Sequence, residues 1–179
     1  MAGLDQAPDS ARITLVLGGA RSGKSAHAEA LLGDHEGIRL YIATAEPRDA
    51  EMAARIAAHR ARRGPGWRTV EAPLALTETL EAESRPGAAL LVDCLTLWLS
   101  NLMEAGRDIA AETQRLTACL GRLEGRTVLV SNEVGLGIVP ENAAARAFRD
   151  HAGRLNQAVA QAAGRVVFVA AGLPMTLKP

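Results

Sequence analysis

Cysteine is scarce in this chain, with 2 among 179 residues. Cys94 and Cys119 lie too far apart for a CxxC pair and have no companion histidine pattern. That spacing argues against a zinc site and a disulfide framework alike, and the two read as buried thiols in a reducing compartment. Charge of one sign is also lacking, because 20 Lys and Arg balance 20 Asp and Glu. Nothing in the overall charge would draw a nucleic acid or an anionic membrane surface, so small molecules are the expected ligands. The longest uncharged run, Val166 to Leu177, falls short of the about 20 apolar residues that cross a bilayer. Met1 to Ala11 holds Asp, Gln and Pro where a signal peptide would need a basic and then an apolar region. A cytoplasmic protein without an integral membrane segment is expected. There is no internal repeat, low-complexity segment or interdomain linker. Residues 1–11 read as a flexible tail, and 12–179 as a single domain long enough to bury a three-layer core.

Against these absences stands one strong motif. Gly18-Gly19-Ala20-Arg21-Ser22-Gly23-Lys24-Ser25 satisfies G-x-x-x-x-G-K-[ST] at every fixed position. The apolar β-branched run Ile13 to Leu17 precedes it and a helix-compatible stretch follows, which is the strand, loop and helix context of a phosphate-binding loop. In such a loop the glycines let backbone N–H groups converge on phosphate oxygens while the helix N-terminus adds partial positive charge. Lys24 would reach the terminal phosphates and the Ser25 hydroxyl would ligate Mg²⁺.

Short apolar runs alternate with helical stretches along the rest of the chain, as in a parallel sheet covered on both faces. Strands are expected over 12–17, 39–43, 68–70, 89–93, 127–131 and 165–170. Helices are expected over 22–32, 49–63, 74–83, 95–104, 109–123 and 141–162, with turns at Gly64-Pro65-Gly66 and Pro86-Gly87. The fold class is therefore a P-loop NTPase-type three-layer α/β fold with a mostly parallel central sheet and one nucleotide-binding catalytic domain.

Two further elements carry chemistry. Ala89-Leu90-Leu91-Val92-Asp93 is an apolar strand ending in a carboxylate, where a P-loop protein keeps its second Mg²⁺-organising acid. Alternatively, Asp93 caps the helix that begins at Leu95. In the helix 49–63, Met52, Ile56, His59 and Arg63 share one stripe, while Arg55, Arg60 and Arg62 on other faces make its end cationic. On periodicity alone a histidine on such a stripe reads as a packed or surface side chain; the other reading is a nucleophile set among phosphate-binding arginines.

Several segments together carry a family resemblance: Gly18 to Ser25, Tyr41-Ile-Ala-Thr-Ala45, Arg55-Ile-Ala-Ala-His-Arg60, Trp67-Arg-Thr-Val-Glu71, Asp93-Cys-Leu-Thr96 with Ser100-Asn-Leu102, and Ser131-Asn-Glu-Val-Gly-Leu-Gly-Ile-Val-Pro-Glu-Asn142. From about Arg12 to about Gly172 the chain resembles the bifunctional adenosylcobinamide kinase / adenosylcobinamide-phosphate guanylyltransferase family. The resemblance implies phosphorylation of adenosylcobinamide with ATP or GTP, followed by transfer of GMP from GTP to the new phosphate. The products would be adenosylcobinamide-GDP and pyrophosphate, in assembly of the cobalamin nucleotide loop. It makes His59 the residue that takes GMP covalently and Lys24 its catalytic companion in the phosphate loop. It also sets the nucleotide against Gly18 to Ser25, Ala43, Thr44, Ala45, Arg60, Ala61, Arg62, Arg63, Glu71 and Asp93, and implies a homo-oligomer, as a trimer. Glu71 could accept from the N1–H and exocyclic amine of guanine, a donor pair that adenine lacks. Some relatives carry two adjacent histidines on this helix, where Ala58 precedes His59 here. His27, His35 and His151 are the fallback nucleophiles.

Other P-loop classes fit less well. No N-K-x-D guanine motif is present, and Asp34-His35-Glu36-Gly37 matches D-x-x-G in spelling but precedes its strand. A simple small-molecule kinase is the main alternative, since the P-loop and Asp93 explain it without His59.

Overall fold

The structure, a computed structural model, describes residues 12–64 and 66–179, and of Arg55 and Arg62 the backbone alone. The expected tail 1–11 and Pro65 of the expected turn lie outside the described residues. The described chain runs β1 (Ile13–Gly18), α1 (Lys24–Leu31), β2 (Ile38–Ala43), α2 (Ala50–Arg63), β3 (Trp67–Glu71), α3 (Leu76–Glu83), β4 (Ala88–Asp93), α4 (Leu95–Glu104), α5 (Ile109–Leu120), β5 (Arg126–Asn132), α6 (Ala143–Ala162), β6 (Arg165–Ala170) and β7 (Leu173–Lys178). One sheet takes the order β3-β2-β4-β5-β1-β6-β7. Its first six strands are parallel and β7 is antiparallel to β6. Central strands covered on both faces read as continuous apolar runs, and β1 is buried at every residue.

Period-two alternation sorts each strand's side chains between two unequal cores. On one face Leu15, Ile42, Leu90, Leu129 and Val166 pack with Leu76, Leu80, Trp98, Leu99, Leu116 and Leu155 from α3 to α6. On the other, Val16, Tyr41, Leu91, Val130 and Val167 meet Ala28 of α1 and Leu32 just beyond it. No described residue of α2 is buried.

Element boundaries differ from the expected ones where side chains claim the backbone. α3 starts at Leu76 because the carbonyls of Pro73 and Leu74 accept from Asn101 Nδ2 and Trp98 Nε1, each at 3.0 Å. Asn142 caps α6 through Ala144 N at 2.8 Å, and Asp49 caps α2 through Met52 N at 2.7 Å. β7 was not expected from the sequence at all. The two-residue turn before it, Ala171 (φ 52°) and Gly172 (φ 80°), puts both residues in the left-handed region that suits a hairpin.

Candidate active site

The strand registers gather the site at one end of the sheet. Gly18 is level with Asn132 on one side and Val169 on the other, while Ala43 is level with both Glu71 and Asp93. Ligand sites of open α/β sheets lie outside these carboxyl ends.

The phosphate loop occupies the β1–α1 connection. Left-handed backbone at Arg21 (φ 55°) and Gly23 (φ 96°) folds it back, and Gly23 N-caps α1 without a side-chain bond, so the first amides of the helix are left open. Gly18 admits no side chain, since a Cβ there would meet Val169 O and Ser22 Oγ, each at 2.5 Å. Lys24 Nζ folds over the loop to donate to Gly19 O at 3.0 Å. The buried Ser22 Oγ has no partner. Ala20 and Arg21 are exposed on the loop's outer surface, and Ser25 is half-buried.

Asp93 ends β4 deep in the same region. Burial raises its carboxyl pKa, against the opposing pull of the Ser25 hydroxyl, His59, the Tyr41 phenol and Lys24. Its Oδ2 is buried without a hydrogen-bond partner. The helix-cap alternative is not what the structure shows: the N-cap of α4 is Cys94, and no side chain caps that helix. The neighbouring groups respond in kind. Burial, and then the Asp93 charge, raise the Tyr41 pKa and push the Cys94 thiol up to about 11. Cys94 and Cys119 are both buried free thiols, as expected.

On α2 the stripe read from periodicity is the face that packs. Met52, Ile56, His59 and Arg63 are each half-buried, whereas Arg60 and Ala61 are exposed. His59 is among the groups that oppose the burial-raised Asp93 pKa. The Arg63 guanidinium lies 3.3 Å from the centre of the Tyr41 ring, and its Nη1 is buried without a partner. Glu71 is exposed at the end of β3, beside Ala43. The structure thus brings together the P-loop, Asp93, His59 and Arg63, and leaves Arg60 and Ala61 on the outer surface of α2.

Of the fallback histidines one is held by a backbone carbonyl, and His27 Nε2 is buried without a hydrogen-bond partner. His35 Nε2 is 3.0 Å from Gly87 O. His27 sits on α1, its pKa lowered by burial and by Arg165, and His151 is on α6.

Thr44 plays a part that sequence reading missed. It is fully buried, its Oγ1 donates to Cys94 O and accepts from Cys94 N, each at 2.8 Å, and its own carbonyl takes Asn101 Nδ2 at 2.8 Å. It braces the backbone next to Asp93. Tyr41 was missed as well, although a lone tyrosine in an aliphatic strand, two residues before Ala43, was a visible signal.

Fold and site together define an α/β protein of P-loop type, with a histidine among the groups acting on the acid that ends β4. The family model for cobinamide kinase / cobinamide phosphate guanyltransferase matches residues 14–177, and the chain belongs to that family. Membership makes it a bifunctional enzyme, kinase and guanyltransferase. It is 54% identical over 166 residues to the bifunctional adenosylcobalamin biosynthesis protein CobP of Pseudomonas aeruginosa, covering 92% of this chain and 96% of that one. It is 47% identical over 179 residues to the bifunctional adenosylcobalamin biosynthesis protein CobU of Escherichia coli, covering 92% and 98%. Among the described residues no helix is long and apolar enough to cross a membrane.

Proposed function

We propose that this enzyme phosphorylates adenosylcobinamide with ATP or GTP, and then moves GMP from GTP to the product through a guanylyl group carried on His59. The observation that supports the covalent step is that His59 lies on the half-buried stripe of α2, the helix that follows β2, and is among the groups that lower the Asp93 pKa. An imidazole nitrogen attacks the α-phosphorus, the bond to the bridging oxygen breaks, and pyrophosphate departs. The acceptor's phosphate oxygen then displaces histidine from the same phosphorus. In this scheme Lys24, the open amides of α1 and the orphan donor on Arg63 would bind phosphate oxygens.

The donor set fits Mg²⁺. Asp93 has a buried oxygen without a partner and the Ser25 hydroxyl faces its carboxyl, so these two residues would hold the ion. Bound there, Mg²⁺ would neutralise phosphate charge. Glu71 reads guanine in this scheme, and its replacement by Ala should weaken GTP more than ATP in parallel titrations; equal weakening would remove it from base recognition.

The decisive experiment uses α-labelled GTP. Wild-type protein should retain label after denaturation, acid-labile and alkali-stable as a phosphoramidate is. His59→Ala should retain none and lose GMP transfer, yet still phosphorylate adenosylcobinamide, because direct phosphoryl transfer needs no protein nucleophile. A wild type that takes no label would leave the simple kinase, and label on another histidine would end the role of His59.

A further inference from the structure

The connection between β5 and α6 has no part in the nucleotide site described above, and it is built unusually. Leu136, Ile138 and Val139 are 82%, 97% and 58% exposed, so the segment turns three large apolar side chains to solvent. Its base is pinned. Glu133 N donates to Gly18 O at 3.1 Å, Asn132 N to Thr96 Oγ1 at 2.7 Å, and Asn156 Nδ2 to Asn132 O at 3.2 Å. Glu133 Oε1 accepts from Gly135 N at 2.6 Å, which fixes the carboxylate at the head of the segment.

Position gives these features a direction. β5 lies between β1 and β4, and it runs on past the level of Asp93, which pairs with Val130. Glu133 therefore stands at the mouth between the phosphate loop and Asp93. Of the other carboxylates at this edge, Asp93 has a buried oxygen and fits the metal, Glu46 is paired with Arg48 at 2.7 Å, and Glu71 lies on the far edge strand β3. The acceptor makes two demands that the nucleotide site leaves unmet. A corrin macrocycle, far wider than a nucleotide base, needs an apolar surface outside the phosphate pocket. Its alcohol must also lose a proton as it attacks.

We propose that residues 133–139 form the acceptor site, with Leu136, Ile138 and Val139 against the corrin and Glu133 taking the hydroxyl proton. The inference rests on the reading of function given above. In the kinase step the hydroxyl oxygen bonds to the γ-phosphorus and the bond from that phosphorus to its bridging oxygen breaks. The electron pair leaves with the nucleoside diphosphate, and the proton passes to the Glu133 carboxylate. In the second reaction the acceptor is already a phosphate anion, so no base is required. Glu133 thus separates the two reactions, whereas the apolar residues serve both.

Both reactions are assayed with purified corrinoids, alongside self-labelling by GTP. Glu133→Gln should lower kinase kcat by roughly a hundredfold or more, the usual range for a general base, and leave GMP transfer to adenosylcobinamide phosphate within about threefold. The double variant Leu136→Ser, Ile138→Ser should raise KM for both corrinoids roughly tenfold or more with GTP self-labelling unchanged. Equal loss of both reactions in Glu133→Gln, or unchanged KM in the double variant, would overturn the proposal. A changed size-exclusion profile of the double variant would do the same, by making the patch a contact between copies of the chain. A wild type that labels with GTP but turns over no adenosylcobinamide would instead sink the functional reading on which the site depends.

Discussion

Helices α4 and α2 both lead away from the carboxyl edge of the sheet, and they are attached in opposite ways. Of the ten residues of α4, six are buried, including Leu95, Trp98, Leu99 and Leu102. α2 has 14 residues, yet its contact face is the half-buried stripe of Met52, Ile56, His59 and Arg63. The sequences explain the difference, since Leu-Thr-Leu-Trp-Leu makes a wide apolar face and the Ala- and Arg-rich α2 makes almost none. Stability is thus concentrated in the layer of α3 to α6. The helix that carries the proposed nucleophile is held lightly, as elements that act on ligands commonly are.

The sharpest way to break this contrast is Leu99→Ala. Leu99 is fully buried in the larger core, and truncating such a leucine costs about 2–5 kcal/mol. Denaturant titration should show that loss. A cost under about 1 kcal/mol would mean that α4 does not anchor the fold. Lys24→Ala probes the functional edge, where loss of a charge-assisted phosphate contact should remove about 3 kcal/mol of transition-state stabilisation, roughly a hundredfold in rate. Its thermal midpoint should stay near wild type, and turnover near wild type would refute the P-loop assignment.

Asp93→Asn sharpens the contrast by separating stability from activity. Burial raises the Asp93 pKa above its unfolded value, so the folded protein favours the neutral acid. Below the unfolded pKa wild type and variant should melt alike. As pH rises through the raised folded pKa, wild type should lose stability relative to the variant, whose side chain stays uncharged. In nucleotide-free protein the variant's midpoint should therefore be the higher one at neutral pH, while its activity is abolished. A lower midpoint would show that the charge is stabilising. The smallest effect is expected from Ile56→Ala, a half-buried position on α2, which should cost no more than about 1 kcal/mol by the same titration. A loss matching Leu99→Ala would erase the distinction between the two helices.

What could be read from sequence follows the same division between local and distant determinants. The central strands were legible because their apolar runs are continuous, and the P-loop because its residues are contiguous. The stripe on α2 was legible because 3.6-residue periodicity is local, but Asp93, whose pKa His59 lowers, ends the distant strand β4 and leaves no mark on that helix. Thr44 read as a nucleotide contact, and its role as a brace was hidden because its bonds to Cys94 and Asn101 span 50 and 57 residues. β7 escaped notice because Ala171-Gly172 lacks the Asn-Gly or Asp-Gly signature of a tight hairpin, and Pro174 falls inside the strand.

The in-register carboxyl ends of the strands also amount to a ruler. From β1 to β3 the sheet crosses β5, β4 and β2, four intervals of about 4.8 Å, or roughly 19 Å in all. Asp93, on β4, stands at the halfway graduation. A nucleotide stretched along this edge, with its phosphates on the β1 loop and its base at Glu71 of β3 as proposed above, would carry its middle across Asp93. The bond to be broken in guanylyl transfer would then be selected by counting strands from either end.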